Sequence, residues 1–96
     1  MKTLAIIGSG DLGQQIAYYA ISDNHYDKVV FFDDFATNKS VNGFLIIGNS
    51  DSIEQEFLLE RFDELIIGIG YKHIEIRKKM YERFDGKINL KLNLRF

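Results

Sequence analysis

Leu4-Ala5-Ile6-Ile7-Gly8-Ser9-Gly10-Asp11-Leu12-Gly13 sets four consecutive apolar residues directly before a G-x-G-x-x-G loop. An apolar run without alternation suits a strand buried on both faces, as in a parallel sheet covered by helices. The glycines break that strand, and the spacing predicts a helix from Asp11 to Ser22 with Leu12, Ile16, Ala17 and Ala20 on its inward stripe. Between a strand and a helix each glycine has its own use. Gly8 permits the tight turn, Gly10 lets a phosphate approach the backbone, and Gly13 allows close helix packing. The free N–H groups and positive end of such a helix attract an anion, with Ser9 and Leu12 completing the loop around it. The other reading is that the glycines serve strand-to-helix packing alone.

The rest of the chain extends this pattern. Val29 to Phe32 forms a second apolar run, with Asp33-Asp34 at its carboxyl end. Asp33 lies twenty residues past Gly13, the spacing of an acid that reads a ribose or a base. Thr37 to Ser40 is polar, and Phe44 to Ile47 reads as a short edge strand. Asp51 with Glu54 three residues later resembles a capping box, opening a helix that turns Ile53, Phe57, Leu58 and Phe62 inward. Glu64 to Gly70 is a further central strand whose terminal glycines, Gly68 and Gly70, suggest close approach by a ligand or a helix. Tyr71 to Phe84 reads as a third helix with Ile76, Met80 and Phe84 inward, stopped by Asp85-Gly86. From Lys87 to Phe96 polar and apolar residues alternate, the pattern of a strand with one buried face that is expected to self-associate or lie at an edge. The whole predicts one α/β domain over residues 1–96, Rossmann-like and doubly wound, with a mostly parallel sheet of about five strands in the order 3-2-1-4-5.

Asp11 complicates the anion site. With Gln14 three residues on, it stands where it would cap the helix. A carboxylate there would occupy the donors a phosphate needs. Either Asp11 points away, or a diphosphate sits off-axis over Ser9 and Gly10.

Composition narrows the functional classes. With 96 residues, 46% hydrophobic and 27% charged, the chain is globular rather than disordered. It has no cysteine, which excludes disulfides, thiolate metal sites and a cysteine nucleophile. The opening apolar run is too short for a signal peptide or a membrane span, so no membrane insertion and a cytoplasmic location are expected. The net charge of −2 is uneven: residues 1–70 hold four basic against eleven acidic side chains, and residues 71–96 hold eight against three. The basic residues fall at helical and then alternate positions, so they read as a solvated face, and no nucleic-acid partner is expected. His25 and His73 are far apart and suggest no metal; no catalytic residue stands out. Arg77 reads as solvated, and Tyr18-Tyr19 as partly buried packing.

Size bears on the ligand. A dinucleotide normally spans two βαβ halves, and about one and a half such units are present, so a single nucleotide with a pendant group fits better. Asp33 and Asp34, as acceptors, suit a uracil imide N–H or a ribose hydroxyl.

Taken in order, Ile6 to Gly13, Phe31-Phe32-Asp33-Asp34, Val41-Asn42-Gly43-Phe44 with Gly48, and Ile67 to Gly70 followed by Arg77-Lys78-Lys79 resemble a known family. It is the N-terminal domain of bacterial sugar acyltransferases of the PglD/NeuD type. The resemblance covers nearly the whole chain. It implies a Rossmann-like domain that holds a UDP-sugar, with the acid pair on the uracil and the glycine loop near the phosphates and sugar. Family members continue into a left-handed β-helix that binds acetyl-CoA, supplies a catalytic histidine and forms a trimer. No cofactor is therefore expected on these residues, which read as a truncated member or an excised domain, not catalytic alone. Where the family often carries Gly-His, this chain has Asp11-Leu12. Two further functions stay open: an NAD(P)-binding domain of a sensor or small oxidoreductase, in which Asp33 takes the ribose diol, and an interaction remnant that binds no ligand.

Overall fold

The computed structural model describes residues 2–84 and 92–93. Among the described residues, six strands form one sheet in the order β3-β4-β2-β1-β5-β6, and three α-helices flank it. β1 (Thr3–Ile7) pairs in parallel with β2 (Lys28–Phe32) on one side and β5 (Glu64–Ile67) on the other. β4 (Phe44–Gly48) lies parallel beyond β2, and β6 (Leu92–Asn93) parallel beyond β5. The expected order of five parallel strands is thus the observed one.

The edge differs from expectation. Phe44–Gly48 is not the outermost strand, because Ser40–Val41 (β3) folds back antiparallel onto it. Asn42 and Gly43 join the two at φ 49° and 83°. Two central residues at positive φ make the tight connection that matches strand twist, and Asn-Gly is the pair best able to adopt it. Of the expected tail strand, Leu92–Asn93 falls among the described residues; the rest of it, its self-association and the Asp85-Gly86 stop lie outside them.

α1 (Asp11–Ser22) covers one face and α2 (Ile53–Leu58) with α3 (Ile74–Phe84) the other. The strands alternate accordingly. Leu4, Ile6, Val29, Phe31 and Ile66 pack toward Ile16, Ala17 and Ala20 of α1. Ala5, Ile7, Val30, Phe32, Leu65 and Ile67 pack toward Ile53, Phe62 and Phe84. The central strands β1, β2 and β5 are therefore covered on both faces, as their unbroken apolar runs require.

The second helix is shorter than its apolar spacing suggests. A 3₁₀ turn at Ser50–Ser52 precedes it; Asn49 caps that turn, its side chain accepting from the Asp51 N–H at 3.0 Å, and Ser52 is the N-cap of the helix itself. Asp51 is not the cap. Leu58 is 71% exposed, because the helix ends there and the chain turns through Glu60 at φ 60° before Phe62 re-enters the core. The third helix likewise begins with a 3₁₀ turn, Tyr71–His73, and Ile76 stays at the surface while Met80 and Phe84 pack inward. Tyr18 and Tyr19, expected to be partly buried, form an edge-to-face pair that is largely exposed.

Three glycines let α1 close on the sheet. A Cβ at Gly13 would overlap the Gly8 carbonyl oxygen, and one at Gly68 would lie 2.7 Å from the Ile6 Cγ2 and 3.0 Å from the Gly13 Cα. Gly8 itself has φ 102°, a conformation side chains rarely adopt. Gly13→Ala is expected to lower stability by at least about 1–3 kcal/mol, the usual cost of overpacking. Gly10→Ala, where a Cβ meets nothing within 4 Å, should cost less than about 1 kcal/mol. Urea unfolding of both variants checks the contrast.

Candidate functional site

Because β1, β2, β4 and β5 run in parallel, their carboxyl ends share one rim. Four loops meet there: Gly8–Gly10 after β1, Asp33–Ala36 after β2, Asn49–Ser52 after β4, and Gly68–Gly70 after β5. This is the edge at which open α/β sheets bind ligands.

The glycine loop is built as expected, with one change at Asp11. The N-cap of α1 is Gly10, and no side chain caps the helix. Asp11 is the first helical residue, one position too late to fold back, and it is exposed. Gln14 does not complete a box with it. Its Nε2 donates to the Ser9 carbonyl at 2.9 Å, and its Oε1 accepts from Asn42 Nδ2 at 2.7 Å. The hairpin tip is thereby tied to the glycine loop. The conflict over backbone donors disappears; one exposed negative charge in the first turn remains. Leu12 is partly buried against the α1-side core and serves packing. Gly70 caps the 3₁₀ turn, its carbonyl accepting from the His73 N–H at 3.1 Å.

The two acids after β2 do different things. Asp33 Oδ2 accepts from the Ser9 N–H at 2.9 Å and the Ser9 hydroxyl at 2.6 Å. Its Oδ1 accepts from the N–H groups of Phe35 at 2.8 Å and Ala36 at 3.0 Å. A carboxylate offers about four lone-pair sites, so Asp33 is saturated by the protein. Asp34 instead reaches Ser50: Oδ1 accepts from its N–H at 2.7 Å and Oδ2 from its hydroxyl at 2.9 Å. That leaves about two acceptor positions on Asp34, which is exposed at the rim.

Strand alternation explains the divergence. Phe31 faces α1 and Phe32 faces α2 and α3. Asp33 and Asp34 continue the same alternation past the strand end, one toward the start of α1 and the other toward the start of α2.

Several contributors carry no sequence motif. Ser50 is buried at 6%, and its hydroxyl oxygen accepts from Arg83 Nη1 at 3.2 Å. Arg83 Nη2 also pairs with Asp51 Oδ1 at 2.8 Å. Phe35, next to the acid pair, is 83% exposed although its backbone is pinned by Asp33. His25 and His73 are exposed, and Arg77, expected to be solvated, is half-buried. A depression of about 300 Å³ lined by Lys28, Val30, Leu45, Ile47, Glu56 and Arg61 lies along β2 and β4 on the α2 side, apart from the glycine loop.

Burial pushes the Asp33 carboxyl up, but the Ser9 hydroxyl and the Ser9, Phe35 and Ala36 N–H groups together outweigh it and hold it below the ordinary 3.8. A depressed carboxyl contributes stability above its unfolded value, and that stability is lost as pH falls through the folded one. Asp33→Asn is therefore expected to cost about 1.5–3 kcal/mol at pH 7, since it turns an amide N–H toward other donors. The gap between variant and wild type should narrow below about pH 4, which denaturant titration at pH 3 and pH 7 measures.

The PglD N-terminal domain family matches residues 3–84. Among solved structures, the acetyltransferase domain of PglB from Neisseria gonorrhoeae FA1090 superimposes with a TM-score of 0.72 at 34% identity over 86% of this chain. The same domain in complex with acetyl coenzyme A aligns with a TM-score of 0.63 at 31% identity over 85% of this chain. In both cases the chain spans 38% of the matched chain's length. Among curated proteins no significant match was found. No described helix is long and apolar enough to cross a membrane. With the family match spanning residues 3–84, and so the glycine loop, the acid pair and the rim they form, the chain belongs to the PglD N-terminal domain family.

Proposed function

We propose that this domain holds the UDP-sugar of a bacterial sugar acetyltransferase at the carboxyl rim of its sheet. Acetyl transfer from acetyl-CoA would fall to the portion of the matched acetyltransferase-domain chains that this chain does not span. The observation that carries the reading is the unequal use of the two acids. Asp33 spends its lone pairs on Ser9, Phe35 and Ala36 and so shapes the loop, while Asp34 keeps acceptor positions for a uracil imide N–H or a ribose hydroxyl. The exposed Phe35 ring beside Asp34 supplies an apolar surface for a base. The diphosphate then lies over Ser9 and Gly10, at the uncapped end of α1, where a Cβ-free Gly10 leaves the backbone accessible.

The same geometry speaks against the dinucleotide alternative. In that alternative Asp33 takes the ribose diol, and its oxygens are already engaged. The proposal includes a glycan-building role in the cytoplasm.

Thermal-shift titration provides the test. UDP and UDP-N-acetylglucosamine are expected to raise Tm, with stabilisation near 2.7 kcal/mol at a hundredfold excess over Kd. NAD and NADP should leave Tm unchanged. Asp34→Asn should weaken uridine-nucleotide binding roughly tenfold, the scale of one hydrogen bond to a charged acceptor. Stabilisation by NAD without any by uridine nucleotides would overturn the reading, and no stabilisation by any of the four would favour a remnant without a ligand.

A further inference from the structure

We propose that Arg83 is a positioning residue for ligand recognition, acting through Ser50 to fix the carboxylate of Asp34; this rests on the UDP-sugar reading above. Three elements distant in sequence meet at Ser50. Asp34 comes from the end of β2, Ser50 from the turn before α2, and Arg83 from the last turn of α3. Ser50 is buried at 6%, so its hydroxyl has protein groups rather than water as partners.

The direction of the chain of bonds matters. A serine hydroxyl has one proton and two lone pairs, and the proton normally rotates to suit its surroundings. Arg83 Nη1 donates to the Ser50 oxygen at 3.2 Å, and a guanidinium can only donate. The Ser50 proton must therefore point elsewhere, and the acceptor within reach is Asp34 Oδ2 at 2.9 Å. With the Ser50 N–H on Oδ1 at 2.7 Å, the carboxylate plane is held at both oxygens. Its remaining lone pairs then face the rim in one orientation. Arg83 is itself located by Nη2 on Asp51 Oδ1 at 2.8 Å, so its fork spans two consecutive residues of the turn. A lysine ammonium carries three donors, but all on one nitrogen, so it does not reproduce the planar two-nitrogen fork that reaches Ser50 and Asp51 from separate atoms.

The Arg83–Asp51 pair is largely exposed, with 43% and 84% of the two side chains accessible, and such pairs contribute little to stability. The arrangement thus predicts a binding effect separable from folding. Calorimetric titration of the whole chain with UDP-N-acetylglucosamine is done for wild type, Arg83→Met, Arg83→Lys, Asp34→Asn and the double variant Arg83→Met/Asp34→Asn. Arg83→Met is expected to weaken binding roughly three- to tenfold in the wild-type background and to have no further effect once Asp34 is Asn. Arg83→Lys should recover less than half of the loss, and hydrogen exchange at the Ser50 amide should accelerate in Arg83→Met at unchanged Tm. An equal loss with and without the Asp34 carboxylate, an unchanged affinity in Arg83→Met, or full rescue by lysine would overturn the positioning role while leaving the nucleotide-sugar reading standing. Absence of binding by the wild type would overturn that reading, and the positioning role with it.

Discussion

Backbone contact among Gly8, Gly13 and Gly68 is the constraint on which the remaining architecture turns. A side chain at Gly13 or Gly68 would lift the start of α1 away from β1 and β5. Ser9 would move with it. The Ser9 N–H and hydroxyl sit 2.9 and 2.6 Å from Asp33, distances that tolerate little displacement before both bonds are lost. Close packing at three glycines is thus transmitted into the position of the loop that follows β2.

The rim is held by side chain-to-backbone bonds rather than by apolar packing. This follows from where it lies. Loops past the strand ends leave N–H groups without ladder partners, and each needs an acceptor. Asp33 takes three such groups, those of Ser9, Phe35 and Ala36, and Asp34 takes that of Ser50. At the amino ends of the strands Glu64 plays a related part, accepting from Lys2 Nζ at 2.7 Å and Tyr26 Oη at 2.6 Å, and the Lys2 ammonium is held above its ordinary value by that contact. Carboxylates do the tying at both ends because a domain of this size has little core to spare for its loops.

Much of this was legible in the residue order. The continuous apolar runs at Leu4–Ile7, Val29–Phe32 and Leu65–Ile67 identify buried parallel strands, and the bounds predicted for α1 are those observed. The glycine spacing locates the strand-to-helix turn. Less visible was the capping. Asp11 and Asp51 each have the right neighbour for a capping box, yet Gly10 caps α1, Asn49 caps the 3₁₀ turn before α2, and Ser52 stands at the N-cap of α2 itself. A helix start depends on where the preceding strand releases the chain, and a shift of one residue moves a carboxylate from cap to first turn. Leu58 shows a similar limit: helical spacing counts it as inward, but it is the last residue of α2 and is left exposed where the chain turns away.

Local order along the chain was sufficient for the alternation of strands and helices, the parallel sheet, the glycine turn and the presence of two adjacent acids at its rim, because each rests on spacing between near neighbours. The tertiary structure alone decided that those acids have different partners, that one is saturated and the other is not, and that Arg83 stands behind Ser50. Hydrogen-bond partners separated by 16 to 33 residues leave no periodic trace in a sequence; they exist once the sheet has brought the loop ends to a common edge.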